Sequence, residues 1–319
     1  MDIRNKLYQM FILGTEGDCY KEALKNNLGG IIFFTKDIQA KEQFKSLIKD
    51  IKSIAKTSPF LSIDQEGGRV ERTENIHKGK KYLSAKYAFE KGEDFLAGQT
   101  KEIAKELKDF GINLNFAPCI DVNTNPNNPI IGERAFSDNP DDVIKGEKIV
   151  SQIYRENGII PCAKHFPGHG DANADSHLTL PEINLPLNEM EKIHIKPFKM
   201  CAKTVEMIMV AHLHCTCFEK NVIPTSLSKN AIDYLRNNLG FDGVIISDDM
   251  VMKGVSCFGA VEACEKGIRA GLNLFIYRNS APETIQIIET IAQKALTDKE
   301  LANKIEESFE RIKKVKSEL

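Results

Sequence analysis

Short apolar runs recur along the chain, with segments of helical periodicity between them. Each run is four to eight residues long, which is typical of buried strands. The eight runs are 9–13, 30–34, 60–63, 112–118, 159–164, 205–212, 243–247 and 272–277. The first run could instead end a helix, so the pattern leaves its assignment open.

Apolar residues repeat with helical spacing between several of these strands. The helical segments are 44–54, 143–153, 232–239 and, after the last strand, 301–315. Asn139 followed by Pro140 predicts the start of the second helix, because an asparagine side chain caps a first turn and proline suits its first position. Ser228 is a candidate N-cap for the third helix, and Gly240 is a candidate residue for ending it.

Strands that alternate with amphipathic helices predict a parallel sheet covered by helices. Eight such units favour a closed (β/α)₈ TIM barrel, an α/β fold whose usual length includes the 319 residues of this chain. The alternative is an open, doubly wound sheet, which usually carries a glycine-rich turn after an early strand, and the sequence has none. No proline-rich or serine-rich linker divides the chain, so we predict a single domain over residues 1–319.

Composition and charge exclude several classes of partner. The net charge is −2 at pH 7 and the charged residues are dispersed, which argues against nucleic acid or an anionic membrane surface as a partner. No apolar run is long enough to span a bilayer, and residues 1–14 make a poor signal peptide. Most of the eight cysteines lie in apolar segments, so we predict reduced thiols and a cytoplasmic protein.

Ionisable side chains follow the ends of the predicted strands, where a (β/α)₈ barrel builds its active site. These residues are Asp64, Arg72, Asp121, Arg134, Lys164, His165, His212, His214, Asp248, Asp249 and Arg278. The sequence has no glycine-rich loop with a lysine, which argues against phosphate chemistry. Carboxylates that face cationic donors suit a neutral polyhydroxylated ligand with a cationic transition state, and sugars are such ligands.

Six motifs in these strands and loops carry a family resemblance. They are DQEGGRV, NFAPCIDVNTNP, IIGERAF, KHFPGHG, DSH and GFDGVIISDDM. With these motifs, the chain from about residue 29 to residue 279 resembles glycoside hydrolase family 3, and within it the single-domain β-N-acetylglucosaminidases of the NagZ type. The resemblance implies a (β/α)₈ barrel and a retaining exo-β-N-acetylglucosaminidase, a β-N-acetylhexosaminidase that releases terminal N-acetylglucosamine through a covalent glycosyl-enzyme. It also implies muropeptide substrates in peptidoglycan recycling, and neither a metal nor an organic cofactor.

The resemblance further implies roles for individual residues. Asp248, the first aspartate of the Ser-Asp-Asp motif, matches the catalytic nucleophile. His177 matches the general acid/base, and Asp175 matches its partner on the same loop. The residues that match those holding the non-reducing sugar are Asp64, Arg72, Arg134, Lys164 and His165.

The sequence departs from the family pattern at two positions. Asn273 stands where many relatives carry aspartate, and His214 adds a second histidine after the sixth predicted strand. Larger relatives take a glutamate acid from a second domain. This chain ends soon after its last predicted strand, so we expect the acid to come from the Asp175–His177 pair on a barrel loop. We expect structural ion pairs around the turn at Gly67 and Gly68, formed by Glu66, Arg69 and Glu71.

Other interpretations of these residues stay open at this point. Asp248 and Asp249 could cap the following helix, and strand alternation predicts that at most one of them faces the barrel axis. A metal-dependent amidohydrolase would use the histidines as ligands, namely His165, His169, His212 and His214. A β-glucosidase of the same family and a non-catalytic sugar-binding barrel are the remaining alternatives. Outside a metal centre, His169 is expected to stabilise its loop.

Overall fold

The computed structural model of the protein describes residues 1–172 and 180–319. The strands in these ranges are β1 (Phe11–Glu16), β2 (Gly30–Phe33), β3 (Phe60–Ile63), β4 (Leu114–Asn115), β5 (Ile160–Phe166), β6 (Glu182–Ile183), β7 (Met207–Val210), β8 (His214–Cys215), β9 (Val244–Asp249) and β10 (Leu274–Asn279). The α-helices are α1 (Ile3–Tyr8), α2 (Tyr20–Lys25), α3 (Lys41–Ile54), α4 (Ala85–Glu90), α5 (Glu93–Phe110), α6 (Pro140–Glu156), α7 (Leu187–Lys192), α8 (Lys196–Cys201), α9 (Lys229–Asp233), α10 (Lys253–Ser256), α11 (Ala260–Ala270), α12 (Pro282–Ala295) and α13 (Lys299–Lys316). Short 3₁₀ helices span Thr35–Asp37, Glu74–Ile76, Gly132–Arg134 and Thr225–Leu227.

Eight of the described strands close into a barrel in which every neighbouring pair is parallel. Their order around the barrel is β1, β2, β3, β4, β5, β7, β9 and β10, and β10 returns to pair with β1. In that closing pair Phe11 lies opposite Phe275. Strands β6 and β8 form a separate small parallel sheet. The predicted (β/α)₈ barrel is confirmed, and the open doubly wound alternative is wrong.

The differences between predicted and observed strands have physical reasons. β3 has the predicted bounds, and β1 begins at Phe11 after α1 has ended at Tyr8, so the first run is a strand. β4 covers only two residues of its run, which contains Pro118, a residue whose nitrogen cannot donate to a neighbouring strand. β9 continues past its predicted end into polar residues, because Asp249 still pairs with Ile276 of β10.

The predicted caps are present at the helices that flank the later strands. The Asn139 side chain accepts a hydrogen bond from Asp141 N at 2.9 Å, with Pro140 at the first position of α6. Ser228 Oγ accepts from Ala231 N at 3.0 Å at the start of α9. The predicted helix 232–239 is only partly regular, since α9 passes into a π-helical turn over Tyr234–Asn238 before Gly240. Among the described helices, none combines the length and apolar character needed to cross a bilayer.

The last turn of α13 covers the N-terminal end of the barrel. Lys316 Nζ donates to Gln9 Oε1 at 2.9 Å, Gly29 O at 2.8 Å and Ser58 O at 3.0 Å, just before β1, β2 and β3. The three acceptors are neutral, and burial lowers the pKa of Lys316 to about 7. The carboxyl ends of the strands, with their polar loops, lie at the opposite end of the barrel.

A partly buried arginine gives Asn273 a structural partner. Arg236 Nη2 donates to Asn273 Oδ1 at 2.6 Å, while Nη1 donates to Phe241 O at 2.8 Å and Gly243 O at 2.6 Å. All of these acceptors are uncharged, and burial, together with the nearby charge of Arg311, lowers the pKa of Arg236 to about 9. An aspartate at position 273, which the family resemblance leads us to expect there, would supply a counter-charge.

We expect Asn273→Asp to raise the stability of the protein. The carboxylate keeps an acceptor for Arg236 and for Ile245 N, which now donates to Asn273 Oδ1 at 2.9 Å. Ser308 Oγ lies 3.1 Å from Asn273 Nδ2 and can turn its hydroxyl to the new oxygen. A hydrogen bond to a charged partner contributes roughly 1.5–3 kcal/mol, so the midpoint of thermal unfolding should rise by several degrees.

The matched control is Asn273→Ala, which removes the acceptor without adding charge. This variant should unfold at a lower temperature than wild type, because Arg236 and Ile245 N lose a buried partner. If Asn273→Asp also unfolds below wild type, the unpaired charge of Arg236 is not what limits stability at this position.

Candidate active site

A cavity of about 480 Å³ opens among the carboxyl ends of the barrel strands. Six predicted site residues line it together, namely Asp64, Arg72, Arg134, Lys164, His165 and Asp248. They come from the loops after β3 and β4 and from β5 and β9, so elements that are distant in sequence meet in one cavity. Arg69, His169, Asp249 and Arg278 border the same space.

A buried ion-pair network at Lys164 forms the floor of the site. Lys164 Nζ lies 2.7 Å from Asp64 Oδ1 and 2.6 Å from Glu66 Oε1. Glu66 also accepts from Arg134 Nε at 2.9 Å and from Arg134 Nη2 at 2.8 Å. Burial opposes charge on Lys164, yet the two carboxylates outweigh it and raise its pKa above the usual value. Burial also opposes ionisation of Glu66, but Arg134 and Lys164 hold its pKa well below the usual range.

The Gly67–Gly68 turn sets the direction of the loop that carries Glu66 and Arg72. Both glycines have positive φ, at 95° and 61°, and a Cβ on Gly67 would lie 2.3 Å from Leu83 O. Only glycine fits this close approach. The Arg72 guanidinium lies 4.0 Å from Asp64 Oδ2, and its Nε is buried without a partner among the described residues, which leaves a donor for a ligand.

The expected ion pairs around this turn are only partly correct. Glu66 pairs with Lys164 and Arg134 as part of the site, and Glu71 Oε1 lies 2.7 Å from His77 Nδ1. Arg69 instead donates to the backbone oxygen of Ile130. The expectation for Arg69 was wrong because the turn directs its side chain across to the loop after β4.

The two aspartates at the end of β9 have different surroundings. Asp248 is the one partly exposed residue of β9, whose other residues are buried. Its Oδ1 accepts a hydrogen bond from Asp249 N at 2.7 Å. Burial would raise the pKa of Asp248, but the nearby side chains of His165, His212 and Lys164 and the hydrogen bond from Asp249 N outweigh burial and lower it. Asp248 is therefore a carboxylate at neutral pH. Asp249 accepts from Val251 N at 3.1 Å and contacts Arg278, so it holds the turn before α10; the helix-capping interpretation is wrong, because α10 begins after Met252 without a side-chain cap.

Asp121 orients His165 from behind the cavity. Asp121 is fully buried, and its Oδ2 lies 2.7 Å from His165 Nδ1. Burial opposes ionisation, but His165 and backbone donors lower the pKa of Asp121 well below its usual range. On its other side, His165 Nε2 lies 3.4 Å from Arg134 Nη2. In the sequence, Asp121 marks only the end of a strand. Its position as a lone aspartate among apolar residues is the signal that could have identified its role.

The remaining histidines do not converge. His212 Nδ1 lies 2.7 Å from Ser226 Oγ, and His214 Nδ1 lies 3.3 Å from Ile223 O. Within residues 1–172 and 180–319, the group close enough to share a metal ion is Cys119, Asp121 and His165, which contains His165 but not the other three histidines of the amidohydrolase alternative. The backbone of His169 stabilises its loop as expected, since Asn128 Nδ2 donates to His169 O at 2.8 Å.

Asp175 and His177 lie outside the described residues, so their predicted roles stay predictions. The segments on either side are anchored near the site. A Cβ on Gly170 would lie 1.7 Å from Val122 O, so glycine is required where this loop passes the one after β4. After the gap, Pro181 O accepts from His214 N at 2.8 Å.

Comparison with known proteins gives a consistent result. The profile of the glycosyl hydrolase family 3 N terminal domain matches residues 2–315. Beta-hexosaminidase A of Pseudoalteromonas piscicida is 32% identical over 322 aligned positions, which cover 92% of this chain and 54% of that protein. A beta-hexosaminidase of Actinobacillus pleuropneumoniae serotype 3 (strain JL03) is 34% identical over 271 positions, covering 82% of this chain and 77% of the relative.

A solved structure shares the whole architecture. The glycoside hydrolase family 3 β-N-acetylglucosaminidase from Paenibacillus sp. str. FPU-7 superposes with a TM-score of 0.91 at 28% identity, covering 100% of this chain and 62% of that one. The chain thus spans about half the length of the Pseudoalteromonas relative and less than two thirds of the Paenibacillus protein. Because the family profile covers nearly its full length and relatives above 30% identity align along most of it, the chain belongs to glycosyl hydrolase family 3.

Proposed function

We propose that the protein is a retaining exo-β-N-acetylglucosaminidase that hydrolyses terminal β-linked N-acetylglucosamine. The observation that carries the proposal is Asp248, an ionised carboxylate that opens into a cavity lined by groups suited to sugar hydroxyls. Family membership and the beta-hexosaminidase and β-N-acetylglucosaminidase names of the relatives support the sugar. A saccharide is therefore the proposed partner of this cavity.

The charged floor of the cavity would bind the terminal sugar. Lys164 uses two of its three N–H donors on Asp64 and Glu66, which leaves one for a hydroxyl. Arg72 offers its unpaired Nε, and Asp64 offers acceptor positions that Lys164 does not use. Because these side chains are already fixed by contacts with one another, they would lose little conformational entropy when a sugar binds.

We propose a double displacement for the reaction itself. Asp248 attacks the anomeric carbon while protonated His177 protonates the departing oxygen, and a covalent ester forms on Asp248. His177, now neutral, removes a proton from water, which hydrolyses the ester. The neutral base adds no second negative charge beside Asp248.

The described acidic groups of the cavity leave the acid role open for His177. Asp64 is held by Lys164, and Asp249 accepts from Val251 N and Arg278. Both carboxylates are already engaged by donors of the protein, which disfavours either as the acid even though burial raises the pKa of Asp249. With the matching Asp-Ser-His motif, this supports Asp175 and His177 as the acid/base pair.

We further propose that the enzyme works in the cytoplasm on muropeptides, with residues 1–319 acting as one catalytic domain. All eight cysteines are free thiols and five of them are buried, which suits a reducing compartment. The barrel strands run from Phe11 to Asn279, with α1 and α13 packed together beside them.

Asp248 should become covalently glycosylated. We expect Asp248→Asn to lose at least about 10³-fold in kcat, because nucleophile and ester disappear together. A fluorinated N-acetylglucosaminyl fluoride that slows hydrolysis should leave one labelled peptide, which mass spectrometry assigns to Asp248. Asp249→Asn is the matched control and should still be labelled at Asp248. A label on Asp249, or full activity in Asp248→Asn, would refute the assignment.

Replacing the acid should affect poor leaving groups most. We expect His177→Ala to slow cleavage of an N-acetylglucosaminyl disaccharide by roughly 10²–10⁴-fold, because its alkoxide leaves only with a proton. Release of dinitrophenolate should decline far less. Asp175→Asn should move the basic limb of kcat/KM to lower pH, since a carboxylate beside an imidazole raises its pKa. Equal losses on both substrates, with an unmoved limb, would assign the proton to another group.

A further inference from the structure

Asp121 is a point where donors from three residues converge. His165 Nδ1 lies 2.7 Å from its Oδ2, and Cys119 Sγ donates to the same oxygen at 3.2 Å. His169 N donates to Oδ1 at 2.5 Å, and His165 N lies 3.3 Å from both oxygens. A carboxylate only accepts, so the side of His165 that faces it must carry a proton at Nδ1.

Arg134 restricts the opposite side of the same ring. Its Nε and one hydrogen of Nη2 are used by Glu66, and Nη2 also lies 3.4 Å from His165 Nε2. A guanidinium is an obligate donor, so a proton on Nε2 would point at another N–H. The geometry therefore favours a neutral His165 with its proton on Nδ1 and a lone pair on Nε2.

We infer that Asp121 is a positioning residue that fixes this tautomer and thereby sets what the site accepts. Building on the proposed function, one hydroxyl of the terminal sugar displaces the long contact between Arg134 and His165, donating to the Nε2 lone pair and accepting from the freed N–H of Arg134. A fluorine at that carbon can still accept from Arg134 but cannot donate to His165. The pair thus selects a free hydroxyl against a substituent that only accepts.

The tautomer can be measured on the free protein, without any substrate. The protein is labelled with ¹⁵N-histidine, and its long-range proton–nitrogen spectra are recorded. The signals of His165 are those that disappear in His165→Gln. They should show a protonated Nδ1 and an unprotonated Nε2. In Asp121→Asn, the backbone donors His165 N and His169 N keep the amide oxygen at the Oδ1 position, so the amide N–H₂ faces His165 and the proton should move to Nε2. A wild-type His165 protonated at Nε2 would overturn the inference, even if Asp121→Asn fails to fold.

Kinetics then test the consequence for specificity. The substrates are nitrophenyl N-acetyl-β-glucosaminides in which one ring hydroxyl at a time is replaced by fluorine. Wild type should lose roughly tenfold to a hundredfold in kcat/KM at the position that reaches His165, and Asp121→Asn should lose most of that discrimination. Cys119→Ala is the matched control: it removes a donor to the same carboxylate, does not touch the His165 contact, and should keep the discrimination.

These outcomes separate the two proposals. If none of the glycosides is cleaved while His165 carries its proton on Nδ1, the proposed activity fails and the positioning role stands. If the glycosides are cleaved and Asp121→Asn discriminates as wild type does, the positioning role fails and the activity stands.

A second, independent feature is a pair of touching thiols beside the small sheet. Cys215 Sγ and Cys217 Sγ lie 3.2 Å apart; Cys215 ends β8 and Cys217 is half-buried in the following turn. The turn is held by Phe218 N, which donates to Cys215 O at 3.1 Å. The hydrogen bond from Cys215 lowers the pKa of the Cys217 thiol, which makes it the more reactive of the two.

We propose that this pair is a site of reversible disulfide formation. The Cys217 thiolate attacks a small-molecule disulfide and releases one thiol, and Cys215, on losing its proton, displaces the second. Two protein thiols are oxidised to one disulfide and the reagent is reduced to two thiols. Thr216, between the two cysteines, donates through its N to Ile183 O at 3.1 Å and through its Oγ1 to Asn184 Oδ1 at 3.0 Å. Oxidation should strain these contacts, which hold the chain just after residues 173–179, and so should lower turnover.

Treatment of the Cys257→Ser enzyme with glutathione disulfide tests this site, because Cys257 is exposed and would react on its own. We expect a peptide joining Cys215 and Cys217 that has lost two hydrogens, a loss of most turnover, and recovery of both with dithiothreitol. Adding Cys217→Ser should abolish the disulfide and preserve activity under the same treatment. Stable glutathione adducts on Cys217 without an internal disulfide, or a disulfide that leaves turnover unchanged, would overturn the proposal.

Discussion

The contact between Lys164 and two carboxylates is the interaction on which the rest of the site depends. An ammonium group that is almost fully removed from water is stable only if opposite charge surrounds it. Asp64 and Glu66 supply that charge, and Glu66 in turn neutralises Arg134. Removing one partner of such a buried set typically costs about 3–5 kcal/mol, so the network fixes the relative positions of the loops after β3 and β4 and the end of β5.

This arrangement suits the cavity to the neutral sugar that is its proposed ligand. The ion pairs exist before a ligand arrives, so a hydroxyl replaces water at donors that are already oriented. Asp248 stands apart from this network, because no cation bonds directly to its oxygens within the described residues. Its charge is stabilised by the ammonium of Lys164 and the polar groups around it, and the oxygen that does not accept from Asp249 N is left free to react.

The fold and the main residues of the site could be predicted from the sequence, because they depend on local pattern. Alternating runs predicted the eight barrel strands, and Asn139 and Ser228 marked helix starts through side chains that act within three residues. Lys164, His165 and Asp248 could be predicted as site residues because each stands at the end of such a run. The partners could not be predicted in this way. No residue near Glu66 in the sequence indicates that its ion-pair partner is Lys164. Arg69 and Arg72 look alike in the sequence, and only the turn directs the Arg69 side chain to the backbone of Ile130.

The shared carboxylate of Asp121 has a consequence for how such a site changes over evolutionary time. One residue holds both the ring of His165 and the backbone of His169, four positions along the same loop. A substitution at Asp121 that alters the ring of His165 would therefore also act on the backbone at His169, in the segment that precedes Asp175 and His177. Under the roles proposed for His165 and His177, selectivity and proton transfer are linked traits, and a lineage that alters one must acquire compensating substitutions in the other. New specificities in this barrel should arise as coordinated sets of changes more readily than as single steps.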